Sequence, residues 1–320
     1  MEHWIGIDLG GTNVVVGLLN DEMKLISKIK RSTGADQGSE FVLSQIAEMV
    51  DEVLELNHVD KNDLRGIGMG SPGFIDPIRG VCLLAVNLGW KDYPVAARLQ
   101  ELTGKPVFID NDVRMYVYGE AMNGASQGHD CVFGITLGTG IAGAFVDHGQ
   151  LFYGGGFMAG EVGHIPMDGE HHTCGCGLKG CLETVASANG IARQAREALA
   201  VGRASLMQQK LVNDPQAAIT AVDVSKAYDD GDELAIEIMN HTGKVLGKAL
   251  ASVVTLFSPD CIVIGGGAAQ AGERLFAPMR EEIKNNVISF YWDKLTIVPG
   301  QLIDDGGVIG SASYAKSRLS

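Results

Sequence analysis

The residues best equipped for chemistry cluster in Gly160–Glu183, GEVGHIPMDGEHHTCGCGLKGCLE. Cys174, Cys176 and Cys181 supply three soft ligands in a Cys-x-Cys-x4-Cys pattern, and His164 lies ten positions before the first of them. Thiolate and imidazole are the donors Zn²⁺ prefers, and four of them complete a tetrahedral structural site. His171 and His172 are rival fourth ligands in a polar turn, although spacing favours His164. Cys174 and Cys176 are too close for an easy mutual disulfide, while either could bridge to Cys181. With a metal in place, Glu161, His164 and Glu183 become fixed polar groups able to hold a small hydroxylated substrate. Clustered cysteines without an export signal point to a reducing compartment, where such a set reads as a metal site. Cys82, Cys131 and Cys261 sit in apolar runs and read as buried thiols.

A second group of candidates lies where glycines interrupt apolar runs. In Ile5–Asn13, IGIDLGGTN, the glycines at 10 and 11 let backbone N–H groups approach an anion, and Thr12 adds a hydroxyl. Asp8, at the end of the run, could hold Mg²⁺ directly or through water. Gly-Gly alone would be a plain hairpin turn. However, Phe133–Ile141, FGITLGTGI, repeats the pattern with Gly, Ile, Leu and Gly in register. Two copies of one unit predict two related lobes whose glycine turns face a shared cleft, with Gly138-Thr139-Gly140 as the second phosphate-contacting turn. Gly265-Gly266-Gly267 permits an adenine or ribose to lie on bare backbone, and equally suits a tight packing turn. The runs Gly138-x-Gly140-x-x-Gly143 and Gly68-x-Gly70-x-x-Gly73 spell a dinucleotide fingerprint, but neither is followed by the helix that fingerprint needs.

Asp110-Asn111-Asp112 closes a strand at 107–109 and opens a helix at 113–122, a place for an N-cap or for a general base. Asp112 is favoured as the base and Asp110 as the structural acid. Ser71-Pro72-Gly73 offers backbone amides in a turn, and Asn87 reads most simply as a turn residue.

The elements that position these groups follow from periodicity. Trp4–Leu9, Val14–Leu19 and Lys24–Lys30 predict a meander. Apolar residues at 42, 43, 46, 49, 50, 53 and 54 predict a helix over Phe41–Leu56. Strands are expected at Leu64–Met69 and Pro259–Ile264, and helices at Val95–Leu102, Val185–Ala200, Pro215–Ala227 and Leu234–Phe257. Residues 74–77 and 86–90 read as loop. A closing helix at Val308–Lys316 returns to the first lobe. A length of 320 residues exceeds what one core usually supports. The expected division is 1–119 with the terminal helix 305–320, and 120–304 with the zinc loop 160–183. A formal charge of −14 argues against a nucleic-acid or acidic-membrane partner. The N-terminus lacks a signal-peptide pattern and no apolar run is long enough to span a bilayer, so a cytoplasmic protein is expected.

Taken together, DLGGT, NLGW, IDND, LGTGIAGA, GEVGH, CGCGLKGCLE and IVIGGG resemble the ROK family of sugar kinases and repressors along the whole chain. PVFIDND and GCLETVASANGI are most similar to the glucokinases of Gram-positive bacteria. The resemblance implies an α/β, two-lobed actin-like, hexokinase-like ATPase fold, with duplicated ribonuclease H-like lobes around a central cleft. It implies ATP-dependent phosphorylation of glucose at the 6-hydroxyl, with Mg²⁺ and a structural Zn²⁺. Asp112 is then the base, and Asn111, Glu161, His164 and Glu183 hold the sugar hydroxyls, with Gly73 and Asn87 adding contacts. His164 joins Cys174, Cys176 and Cys181 on zinc, in place of His171 or His172. Gly10, Gly11, Thr12 and Asn13, with Gly138, Thr139 and Gly140, become phosphate loops, and Gly265, Gly266 and Gly267 the adenosine turn. A homodimer or homotetramer is implied. Two departures stand out: Val14-Val15-Val16 after Asn13, where many relatives carry a basic residue, and bulky Val113–Tyr118, where they carry small ones. The sequence opens two residues before its first expected strand, so the helix-turn-helix extension of the repressors is not expected. The alternatives are a kinase of another hexose or N-acetylhexosamine, a polyphosphate-dependent relative, and a non-catalytic sugar sensor.

Overall fold

Aliphatic runs broken at a glycine turn form the first hairpin, and a computed structural model describes it within residues 2–214 and 216–320. Strands β1 (His3–Leu9), β2 (Asn13–Asn20) and β3 (Leu25–Ser32) make the expected antiparallel meander. Helix α1 (Ser39–Leu56) buries Val42, Leu43, Ile46, Met49, Val50, Val53 and Leu54. Strand β4 (Leu64–Ser71) then runs parallel to β1, and β8 (Val107–Asn111) parallel to β4, which gives the order β3-β2-β1-β4-β8. The second sheet repeats that order as β11-β10-β9-β12-β13. Its strands are β9 (Cys131–Leu137), β10 (Ile141–Asp147), β11 (Gln150–Leu151), β12 (Cys261–Gly265) and β13 (Thr296–Pro299). The turns after Leu9 and Leu137 therefore hold the same place in the two sheets, which is the repeat seen in the sequence.

Several elements differ from expectation. The stretch expected as loop at 74–77 is strand over Phe74–Asp76, whereas 86–89 is a short turn as expected, with a strand beginning at Trp90. Strands β5 (Phe74–Asp76), β6 (Val81–Ala85) and β7 (Trp90–Tyr93) form a small antiparallel sheet whose strands are too short and too interrupted by Gly and Pro to show a period of two. Helix α2 (Val95–Thr103) follows, and α3 (Asp112–Asn123) starts directly at the end of β8. The helix expected over 185–200 breaks in two: α4 (Glu183–Ala186) and α5 (Ala188–Ala200), because the Ser187 hydroxyl caps the new start by accepting from Gly190 N at 3.0 Å. Of the helix expected from Pro215, that residue lies outside the described ones. A short α6 (Gln208–Asn213) comes before it, and α7 (Ala221–Asp229) begins at a Thr220/Asp223 capping box. Helices α8 (Glu233–Phe257), α9 (Glu273–Asn286) and α10 (Ser289–Trp292) complete this part, and α11 (Gly306–Leu319) ends the chain. No described helix is long and apolar enough to cross a membrane.

The chain divides into two compact units. One comprises Met1–Phe133, Ala144–Ala159 and Gly300–Ser320, and the other Gly134–Gly143 and Gly160–Pro299. A boundary at 119/120 would cut α3, and the Glu120 carboxylate instead ties that helix forward, accepting from Ala125 N and Leu302 N at 2.8 Å each. In the first unit α11 lies on β1 and β4 so closely that Gly6 and Gly68, directly paired across the two strands, have no room for a Cβ against the Val308 and Ser311 carbonyls. Ser311 Oγ also donates to Ile7 O at 3.0 Å.

Candidate active site

In the first unit, the turn after β1 is closed by Gly10 N donating to Asn13 O at 2.8 Å, and Gly11, Thr12 and Asn13 stand exposed. Thr33, fully buried, braces it from below: its hydroxyl donates to Gly10 O at 2.7 Å and its N–H to Thr12 O at 2.9 Å. Asn87 sits beside the turn, its Cβ 3.4 Å from where a side chain on Gly11 would begin. Asp8, half-buried just before the turn, has its carboxyl pushed up to about 6, first by burial and then by the negative charge of Asp112. A Cβ on Gly307, at the start of α11, would meet the Asp8 carboxyl carbon at 2.9 Å, so only glycine lets the helix start approach this acid.

The β8–α3 corner holds the other acids. Asn111 caps α3, its Oδ1 accepting from Val113 N at 3.0 Å and Arg114 N at 3.2 Å, while its amide donates to Gly73 O at 3.2 Å. Gly73 itself has φ +95° and packs on β6. Asp112 is half-buried in the first turn of α3, its Oδ1 accepting from Val113 N at 2.9 Å, where the helix N-terminus favours a carboxylate. Asp110 points the other way. It is fully buried, and its oxygens accept from Arg114 Nη1 at 3.1 Å and the Tyr153 hydroxyl at 2.7 Å. Burial pushes its carboxyl up, with Arg114 and Tyr153 opposing that shift. Two aspartates, two residues apart, thus have unlike surroundings. The proximity of Asp8 and Asp112 is the kind of mutual repulsion a divalent cation relieves.

In the second unit, a ring nitrogen of His164 and the sulfurs of Cys174, Cys176 and Cys181 lie within 4.8 Å of one another. Zinc ligands at about 2.3 Å in a tetrahedron stand about 3.8 Å apart. The Cys176–Cys181 sulfurs and the Cys174 Sγ–His164 Nδ1 pair are each separated by 3.7 Å. His171 and His172 are not in the cluster, and all three cysteines are free thiols. Thr173–Lys179 and Pro166–Cys181 bridges fold the loop so that the donors converge. Glu183 touches the cluster, accepting from Cys174 Sγ at 2.9 Å, and Glu161 Oε2 lies 4.0 Å from His164 Nε2. The Nδ1 edge of the imidazole thus meets the Cys174 sulfur and, at 3.7 Å, Glu183 Oε1, while the Nε2 edge looks at Glu161.

Glu183 also reaches the second glycine turn, where a Cβ on Gly140 would sit 2.8 Å from its Oε2. That turn is closed by Gly138 N donating to Gly140 O at 3.0 Å, and Ala188 N donates to Gly138 O at 2.9 Å. Gly266, at φ +87°, lies against the Leu137 backbone, which sets the triple-glycine turn beside the turn at 138–140. A cavity of about 650 Å³ in this unit is lined by Thr139, Gly140, Cys174, Glu183, Asn189 and Arg193, among others.

Of the remaining cysteines, Cys82 and Cys261 are buried as expected. Cys131 is not: it is half-exposed at a strand end, its thiol donating to Asp147 Oδ1 at 3.0 Å beside His148. Thr33, Gly307 and Arg114 were missed by the sequence reading. A glycine pair before a helix, as at 306–307, is a signal for the second, whereas Thr33 carries no local signature.

The ROK family matches residues 4–318. The chain is 37% identical to the glucokinase of Thermotoga maritima, over 98% of each chain. It is also 37% identical to that of Halalkalibacterium halodurans, over 99% of this chain and 96% of that one. The ROK family glucokinase of Streptomyces griseus, solved with glucose and AMPPNP, is 29% identical and has a TM-score of 0.80, over 98% of this chain and 99% of that one. With a family match across nearly every residue and relatives of this similarity, the chain belongs to the ROK family.

Proposed function

We propose that this protein is an ATP-dependent glucokinase that transfers the γ-phosphoryl group of ATP to the 6-hydroxyl of glucose. The observation that carries this reading is the first unit's arrangement: a half-buried acid, Asp112, at a helix start and within electrostatic reach of Asp8, which stands just before the turn Gly10–Asn13. In the reaction, Asp112 accepts the proton of O6 as that oxygen bonds to the γ-phosphorus, and the bond from phosphorus to the bridging oxygen breaks to release ADP. Asn111, Glu161, His164 and Glu183 take the sugar hydroxyls, with Gly73 and Asn87 beside them. A sugar lacking one of those hydroxyls would cover one of these polar groups without pairing it, which is the basis for discrimination. The two glycine turns receive the phosphates and Gly265–Gly267 the adenosine. Asp8 is the residue to hold Mg²⁺, which supplies charge neutralisation on the phosphates. His164, Cys174, Cys176 and Cys181 fit a structural zinc that fixes His164 and Glu183 from behind. The same reading makes the protein a cytoplasmic homodimer or homotetramer with no nucleic-acid or membrane partner.

The test is ADP release with MgATP across glucose, mannose, fructose, allose, N-acetylglucosamine and N-acetylmannosamine. The expected result is a strong preference for glucose. Preference for another sugar would move the specificity and keep the chemistry, while turnover with none of them in zinc-replete protein would overturn the kinase reading.

A further inference from the structure

Arg114 is a buried cation on the first turn of α3, only 5% exposed. Its guanidinium makes more contacts than an ion pair needs. Nη1 donates to Asp110 Oδ1 at 3.1 Å, while Nη2 donates to Phe157 O at 2.5 Å and reaches Ala159 O at 3.4 Å. The group also stacks over the Tyr153 ring, 5.4 Å from its centroid, and the Tyr153 hydroxyl returns to Asp110 and to Tyr314.

One backbone bond of its own closes the segment it holds, Ala159 N donating to Tyr153 O at 3.1 Å, and the residues between are left to side-chain contacts. Gly154, Gly155 and Gly156 run in series, with Gly154 and Gly156 at φ +63° and +66°. Phe157 follows at φ +61°, a left-handed conformation that a bulky residue adopts only when its surroundings impose it. Three glycines give the loop many accessible conformations. The two carbonyls flanking Met158 are the ones Arg114 binds, and Phe157 packs edge-on against Tyr153, centroids 5.8 Å apart. The planar fork thereby selects one loop conformation. From Ala159 the chain passes through Gly160 directly into Glu161.

We infer that Arg114 is a positioning residue for phosphoryl transfer: it clamps the 154–159 loop, which delivers the chain to Glu161, to the strand end carrying Asn111 and Asp112. The inference rests on the glucokinase reading for its functional half, since it takes Glu161 as a sugar ligand. Arg114 touches no reacting atom in this scheme. Its effect is on the fraction of molecules in which the sugar ligand stands ready, so its loss raises the sugar KM and leaves the nucleotide turns alone.

The variant that isolates the clamp is Arg114→Lys, which keeps a charge but has no planar group to bind Asp110 through one nitrogen and the two loop carbonyls through another. Two readouts are taken on the intact protein: KM for sugar and for MgATP, and hydrogen exchange of the amides at 154–160. The expected result is a sugar KM raised about tenfold or more, an MgATP KM within about twofold, and faster exchange confined to 154–160. An unchanged sugar KM overturns the positioning role, and unchanged exchange overturns the clamp. If Arg114→Lys does not fold, Asp110→Asn/Arg114→Met, which removes both buried charges together, takes the same two measurements. If the wild type does not turn over glucose, the glucokinase reading fails on its own. KM is then taken with whichever sugar the enzyme accepts, and exchange still decides the clamp.

Discussion

Adding one methyl group at Gly266 should damage both stability and nucleotide use, by amounts the backbone allows to be worked out. Gly266 sits at φ 87°, ψ 167°. That region is essentially restricted to glycine, and holding an alanine there costs about 1–3 kcal/mol. The new Cβ would lie 2.6 Å from the Leu137 carbonyl oxygen and 2.7 Å from its nitrogen. Ordinary contact is about 3.5 Å, so backbone of β9 would have to retreat by close to 1 Å. Overpacking of this kind costs about 1–3 kcal/mol more. The sum, about 2–6 kcal/mol, corresponds to a fall in Tm of roughly 5–20 °C for a unit of this size. Because β9 leads into the turn at Gly138–Gly140, the MgATP KM should rise about tenfold while glucose binding holds. Gly267→Ala is the control, since nothing lies within 4 Å of its Cβ. That variant should melt within about 2 °C of the wild type yet still raise the MgATP KM, because its methyl covers backbone assigned to adenosine. Thermal unfolding and steady-state kinetics on both variants decide. Wild-type melting of Gly266→Ala would refute the close approach, and an unchanged MgATP KM in Gly267→Ala would refute the adenosine assignment.

Two further outcomes follow from the carboxylates and the thiols. Cys176→Ser should reduce bound zinc from about one per chain to near zero by metal analysis and weaken glucose affinity, since the metal fixes His164 and Glu183. Unchanged affinity in the zinc-free variant would limit the metal to folding. Asp8 has its carboxyl raised from 3.8 to about 6, so the nucleotide-free protein should gain stability as pH falls from about 6 towards 4 and lose it on the way up. At pH 7.5 the destabilisation is complete, and the gap corresponds to roughly 3 kcal/mol. Asp8→Asn should therefore be more stable than wild type at pH 7.5 and converge with it at low pH, as read by urea unfolding. A less stable Asp8→Asn at pH 7.5 would contradict the burial argument.

Local pattern made legible whatever depends on neighbours in sequence. The meander, the helix over 39–56 and the Cys-x-Cys-x4-Cys loop announce themselves by period or spacing, and the repeat of IGIDLGGTN by FGITLGTGI reappears as two sheets of one strand order. Features that depend on distant partners were hidden. Gly6 and Gly68 read as ordinary strand glycines until α11, some three hundred residues further on from the first, is laid across them. Arg114 read as one more bulky residue after Asp112, since its partners at 153–159 lie on a glycine-rich loop with no periodic signal. The small sheet at 74–93 was lost for a different reason: strands of three to five residues between Gly and Pro carry too few alternations to count. The split of one expected helix at Ser187 turned on a single hydroxyl that caps instead of continuing.

The most direct test of the account is Asp112→Asn, measured for glucose binding by calorimetry and for turnover by ADP release in the same preparation. The amide keeps the size of the side chain and an oxygen to accept from Val113 N, so the helix start should survive. The account predicts glucose affinity within about threefold of wild type and kcat lower by a factor on the order of 10²–10⁴, the usual contribution of a positioned general base. A near-normal kcat would contradict it, and the proton of the 6-hydroxyl would have to go elsewhere.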